Sequence, residues 1–186
     1  MKTIILPGYS EHNRVWAEEI AEKLTANGLQ TTVHYWRHWP STSPSATSSG
    51  SSDSGSSSGS FSLKYEIKKI LEEVGKEEKI NIIAKSVGVY VALNLIPRIT
   101  SQVKKVILCG IASVAGEDRK GLVKTVLSKI PTENILCIQN ENDKFVPFVE
   151  AEKFYHSVEP KLKVISKPRS DHHYPYLEDF QNFLAG

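Results

Sequence analysis

A three-layer α/β/α fold built on a mostly parallel sheet of six strands is what this 186-residue chain predicts, and two observations carry the prediction. Short β-branched runs alternate with helical patterns along the chain, and strands separated by helices return to one sheet in parallel. The runs Val106-Ile107-Leu108-Cys109 and Ile135-Leu136-Cys137-Ile138 are apolar at every position rather than at alternate ones, which suits strands covered by helices on both faces. At this length one domain spanning residues 1–186 has room for a sizeable core, whereas two ordinary domains do not fit.

The elements follow in order. Residues 2–6 form the first strand, and Pro7-Gly8 turns the chain out of it. A helical pattern over 15–27 stops at Gly28, the residue that most easily takes the left-handed conformation after a helix. A second strand over 30–35 runs into the aromatic cluster Tyr35-Trp36-Arg37-His38-Trp39-Pro40, whose rings either cap the core or line a pocket. A helix over 63–74 ends at Gly75, and strands over 79–84, 104–109, 134–139 and 162–166 then alternate with helices over 87–98, 121–130, 149–158 and 177–184.

Residues 41–60 break this rhythm. Twelve of the twenty are serine, three are glycine and Asp53 is the only charge, so the stretch cannot bury enough apolar surface to offset the entropy of ordering it. It reads as a flexible surface loop. Elsewhere, 40% hydrophobic and 24% charged residues are ordinary for a soluble globular protein, and a net charge of +2 draws neither nucleic acid nor an anionic membrane. The longest apolar stretch, residues 87–96, falls short of the roughly 20 residues a membrane-spanning helix needs. The first residues carry too short an apolar run for a secretory signal and read as a strand. Cys109 and Cys137 each lie in an apolar strand and read as buried free thiols, which fits a reducing cytoplasm.

The chemistry concentrates at Ser86, which sits where the strand over 79–84 meets the helix over 87–98. Ala84 two before it and Gly88 two after it let the backbone turn sharply and present the hydroxyl. A serine hydroxyl is a poor nucleophile at neutral pH; it needs a base to take its proton, and the base needs a third group to fix its tautomer. Asp143 and His172 follow later strands, and in a parallel sheet the ends of all strands reach one rim. In isolation Ser86 could equally cap a helix, and Asp143 could close a turn or cap the helix near Pro147.

Four segments carry a resemblance: Leu6-Pro7-Gly8-Tyr9, Ala84-Lys85-Ser86-Val87-Gly88, the stretch from Gln139 to Pro147 that contains Asp143, and Ser170-Asp171-His172-His173-Tyr174. The chain resembles small lidless serine hydrolases of the α/β-hydrolase superfamily, with alanine at position 84 where the motif usually has glycine. The resemblance implies Ser86 as nucleophile, His172 as base and Asp143 as the acid that orients it. It also implies an oxyanion hole from the backbone N–H groups of Tyr9 and Val87, and strand order 2-1-3-4-5-6 with Ser86 beside the point of reversal. His173 is the competing base and Asp118 a reserve acid.

The implied activity is cleavage of a small acyl ester or thioester through an acyl-enzyme, with a small-molecule acyl substrate as partner and neither cofactor nor metal. The short connection from Gly110 to Lys120 leaves little material for a lid, so an open, shallow pocket walled by Tyr9, Trp16, Trp36 and Trp39 is expected. Lys85 reads as a polar turn residue, and His12-Asn13-Arg14 as a polar turn beside the site. The competing readings are a binding or scaffold protein that kept the fold without turnover, and a nucleotide-binding α/β protein. The second is disfavoured because the first loop lacks a glycine-rich phosphate cradle.

Overall fold

The computed structural model describes residues 1–40 and 60–186, so the serine-rich stretch, apart from Ser60, lies outside the described residues. Strands β1 (Lys2–Leu6), β2 (Gln30–Val33), β3 (Ile80–Lys85), β4 (Val103–Cys109), β5 (Ile135–Asn140) and β6 (Lys163–Lys167) form one sheet. Its order is β2-β1-β3-β4-β5-β6, as expected, and every neighbouring pair is parallel. The helices are α1 (Asn13–Ala26), α2 (Leu63–Val74), α3 (Val87–Leu95), α4 (Glu117–Leu127), α5 (Phe148–Val158) and α6 (Leu177–Ala185).

Alternate strand residues supply the two cores, because successive side chains on a strand point to opposite faces. Ile4, Leu6, Ile82, Ala84, Val106, Leu108, Ile135 and Cys137 pack toward α2, α3, α4 and α5. Ile5, Ile83, Ile107, Cys109, Leu136 and Ile138 pack toward α1 and α6, where they meet Trp16, Ile20, Leu24, Phe180 and Leu184. Thus α1 leaves β1 to cover one face while α3 leaves the neighbouring β3 to cover the other. The divergence opens a crevice at the C-terminal ends of these two strands.

Several boundaries differ from the sequence reading, and three of the differences have a clear local reason. The helix read over 87–98 is α-helical only to Leu95 and finishes as a 3₁₀ turn, Ile96–Arg98, because Pro97 has no N–H to continue the ladder. Helix α4 begins at Glu117 rather than 121. Glu117 and Asp118 favour the positive end of a helix, and Gly121 lies inside it on open surface, with nothing within 4 Å of an added Cβ. Strand β2 stops at Val33, after which the chain bends so that Trp36 and Trp39 bury their rings. Among the described residues no helix is long and apolar enough to cross a membrane.

Candidate active site

At the end of β3 the backbone turns through Ser86 with φ 57° and ψ −116°, the one non-glycine residue with positive φ among those described. The next turn of chain passes so close to β1 that a Cβ on Gly88 would lie 2.1 Å from the Leu6 carbonyl oxygen and 2.9 Å from that of Pro7. Both obstacles are backbone and cannot swing aside. Gly88→Ala is therefore expected to destabilise the protein by about 1–3 kcal/mol, read as a lowered melting temperature. Ala84 is fully buried inside β3, so the methyl group that departs from the usual glycine sits in the core.

Asp143 follows β5 and is 1% exposed. Its Oδ2 accepts from His172 Nδ1 at 2.6 Å and from the Tyr174 hydroxyl at 2.6 Å, while Oδ1 accepts from the Phe145 N–H at 2.9 Å. Burial pushes this carboxyl upward, but the bonds from His172, Tyr174 and Phe145 together outweigh it and hold the pKa below its ordinary value. Burial and the bond to Asp143 push the Tyr174 phenol far up, so it stays a donor. His172 is flanked edge-on by the rings of Phe145 and Tyr174. Its Nε2 is buried and has no hydrogen-bond partner, and the Ser86 hydroxyl makes no bond to it.

The loop that carries His172 is clamped by a residue the sequence reading passed over. Asn140, fully buried at the end of β5, donates from Nδ2 to the carbonyls of Asp171 at 2.8 Å and His173 at 2.9 Å, and its Oδ1 accepts from the Tyr176 hydroxyl. Trp16 Nε1 donates to the Tyr174 carbonyl at 2.9 Å. Of the adjacent histidines it is His172 that meets Asp143. The His173 ring makes no bond to Asp143, and burial and then the charge of Lys85 lower its pKa. Asp118, the reserve acid, is exposed in the first turn of α4, away from this cluster.

A cavity of about 460 Å³ lies in the crevice, and Ser86, His172, His173, Tyr9 and Trp16 all line it. Trp36 and Trp39 are not among its lining residues. They are 2% and 5% exposed and hold the loop after β1: Trp36 Nε1 donates to the Gly8 carbonyl at 3.0 Å, and Trp39 Nε1 and His38 Nε2 each donate to the Tyr9 carbonyl at 2.8 Å. The carbonyl and N–H of a trans peptide point in opposite directions, so fixing the Gly8 carbonyl also fixes the Tyr9 N–H. Val87 opens α3 directly after Ser86.

Lys85 corrects the sequence reading. Read as a polar turn residue, it is instead the last residue of β3 and 4% exposed, its ammonium donates to Asn13 Oδ1, and it stands 5.5 Å from the centre of the Trp16 ring. Burial lowers its pKa to about 8.

Sheet order, sharp turn and cavity place the chain in the α/β-hydrolase fold class. Solved structures of similar fold include a predicted CIB-like hydrolase from Thermoplasma acidophilum, with 19% identity over 98% of this chain and 83% of that one and a TM-score of 0.67. A serine hydrolase without a lid from Xanthomonas campestris gives 18% identity over 98% and 78%, with a TM-score of 0.62. A serine hydrolase homologue from Coxiella burnetii gives 18% over 99% and 83%, with 0.63. No curated protein matches the chain. The family described as serine hydrolase matches residues 28–173, and the chain belongs to that family.

Proposed function

We propose that the protein cleaves small acyl esters or thioesters through an acyl-enzyme on Ser86. The observation that carries this reading is the 2.6 Å bond from His172 Nδ1 to the buried Asp143, which leaves Nε2 unpartnered beside the cavity that Ser86 also lines. The bond places one imidazole proton on Nδ1 and makes Nε2 the basic nitrogen.

Ser86 Oγ attacks the acyl carbonyl while Nε2 takes its proton, and Asp143 stabilises the resulting imidazolium without being protonated itself. The N–H groups of Val87 and Tyr9 receive the developing oxyanion, the first at the positive end of α3 and the second in the peptide that Trp36 holds. Collapse of the tetrahedral intermediate expels the alcohol or thiol, which takes the proton from Nε2. A water activated by the same nitrogen then releases the acid and frees Ser86. The missing Ser86–His172 bond is of the kind that tightens when substrate binds. Residues 110–116 are all that joins β4 to α4, so among the described residues this connection builds no lid, which suits small esters. Cys109 and Cys137 are free, and burial pushes both thiols up, as inert thiols of a reducing compartment such as the cytoplasm would be.

Incubation with a fluorophosphonate probe, followed by peptide mass spectrometry, tests the reading. A single adduct on Ser86 is the expected result. Unlabelled protein, or label on another residue, would reject it in favour of a hydrolase-fold protein that binds without turnover.

A further inference from the structure

The cavity wall is cationic in a way that cleavage of a neutral ester does not require. Lys85 and Lys144 are its cations, beside the imidazoles of His12, His172 and His173, and among the described residues no aspartate or glutamate lines it. The two nearby carboxylates act on Lys85 only through space, because their hydrogen bonds go elsewhere, those of Asp143 to His172 and Tyr174 and those of Asp171 to Arg169. None of the ion pairs among the described residues includes Lys85.

The place of this lysine is costly for the fold alone. A buried ammonium is destabilising unless a counter-charge meets it, and its one hydrogen-bond partner is the neutral amide of Asn13. Asn13 is the first residue of α1, a fourteen-residue helix with no side-chain cap at His12 and no acidic residue in its first turn. The ammonium is thus held against the positive end of a helix dipole, where an anion is favoured and a cation is not. With a pKa of about 8, Lys85 is still mostly charged at neutral pH. Lysine stem, helix end and Trp16 ring converge on one wall of the space that Ser86 faces.

We infer that this wall is a carboxylate subsite, and that the preferred substrates are small esters bearing a free carboxylate a few bonds from the scissile carbonyl, such as half-esters of short dicarboxylic acids. The ester part of this inference rests on the hydrolase reading; the anion site does not. An incoming carboxylate would accept from Lys85 Nζ, supply a counter-charge in direct contact, and hold the acyl carbonyl over Ser86.

Two measurements on the full chain test it. Calorimetric titration with glutarate should show binding that Lys85→Met weakens by about 10- to 100-fold, the range for a hydrogen bond to a charged group, while Lys85→Arg retains it. The ratio of kcat/KM for monomethyl glutarate to that for dimethyl glutarate should exceed one in the parent and fall by a similar factor in Lys85→Met. Methionine keeps the length and apolar stem of the side chain, and a melting curve checks that each variant is folded. Glutarate binding unchanged by Lys85→Met, or inorganic phosphate binding more tightly than glutarate, overturns the carboxylate subsite. If neither ester is cleaved and the fluorophosphonate leaves no adduct, but glutarate binding still depends on Lys85, the hydrolase reading fails and the anion site stands.

Discussion

Replacing Ser86 with alanine is expected to lower ester turnover by about 10⁴-fold or more, because serine, imidazole and carboxylate act as a unit and losing one forfeits most of what all three contribute. The same variant should lose the fluorophosphonate adduct and keep its melting transition, since the hydroxyl carries no hydrogen bond that caps α3. Backbone strain gives a second readout. A side chain at φ 57°, ψ −116° costs about 1–3 kcal/mol, and alanine inherits that cost while glycine does not. Ser86→Gly should therefore be as inactive as Ser86→Ala but more stable by about 1 kcal/mol, after glycine's larger freedom in the unfolded chain is allowed for. Both can be measured side by side by chemical denaturation. Equal ester rates for Ser86→Ala and the parent would remove Ser86 as the nucleophile.

The pattern of elements was legible because a two-residue period and a helical period leave different marks on the chain. Val106 to Cys109 and Ile135 to Ile138 are apolar throughout because α-helices cover both sides of β4 and β5. Helix ends were less legible where a glycine was misleading: Gly121 looks like a boundary, yet it is an exposed interior position of α4. Around the site, the register of acid and histidine loops pointed to Asp143 and His172, which the structure brings together. What the sequence did not reveal were partners that depend on the third dimension. The hydroxyl of Tyr174 reaches Asp143, and the amide of Asn140 ties the histidine loop to the end of β5. Lys85 is hydrophilic by type, and only the packing of α1 against β3 makes it a buried charge. One signal was present and unread. Glu66 shares the buried face of α2 with Ile67, Ile70 and Val74, a position where a carboxylate needs a partner.

That partner is His34, and removing it should produce the largest loss of stability. The imidazole is 1% exposed and lies between two carboxylates of α2, with Nδ1 at 2.9 Å from Glu73 and Nε2 at 2.9 Å from Glu66. Since a carboxylate only accepts, both ring nitrogens donate and the ring is an imidazolium. Burial alone would lower its pKa, but the hydrogen bonds and charges of Glu66 and Glu73 together raise it above the ordinary 6.5. His34→Ala leaves the fully buried Glu66 with only the Arg37 N–H, at 3.2 Å, and should cost about 3–5 kcal/mol, the range for breaking a buried ion pair on one side. The sign of the pH dependence follows from the raised value. The folded state holds the extra proton more tightly than the unfolded chain, so this contribution is present in full below pH 6.5 and fades as pH rises through the folded value. Denaturation curves of parent and His34→Ala should therefore converge on the alkaline side and separate toward pH 6. A gap that widens with rising pH would show that the ring is neutral in the fold. The ring also packs edge-on against Trp36 at 4.7 Å, and Trp36 holds the Gly8 carbonyl, so loosening His34 should loosen the peptide that presents the Tyr9 N–H. If that N–H receives the oxyanion, His34→Ala should lose kcat even at temperatures where it remains folded, whereas an unchanged kcat would detach Tyr9 from the chemistry.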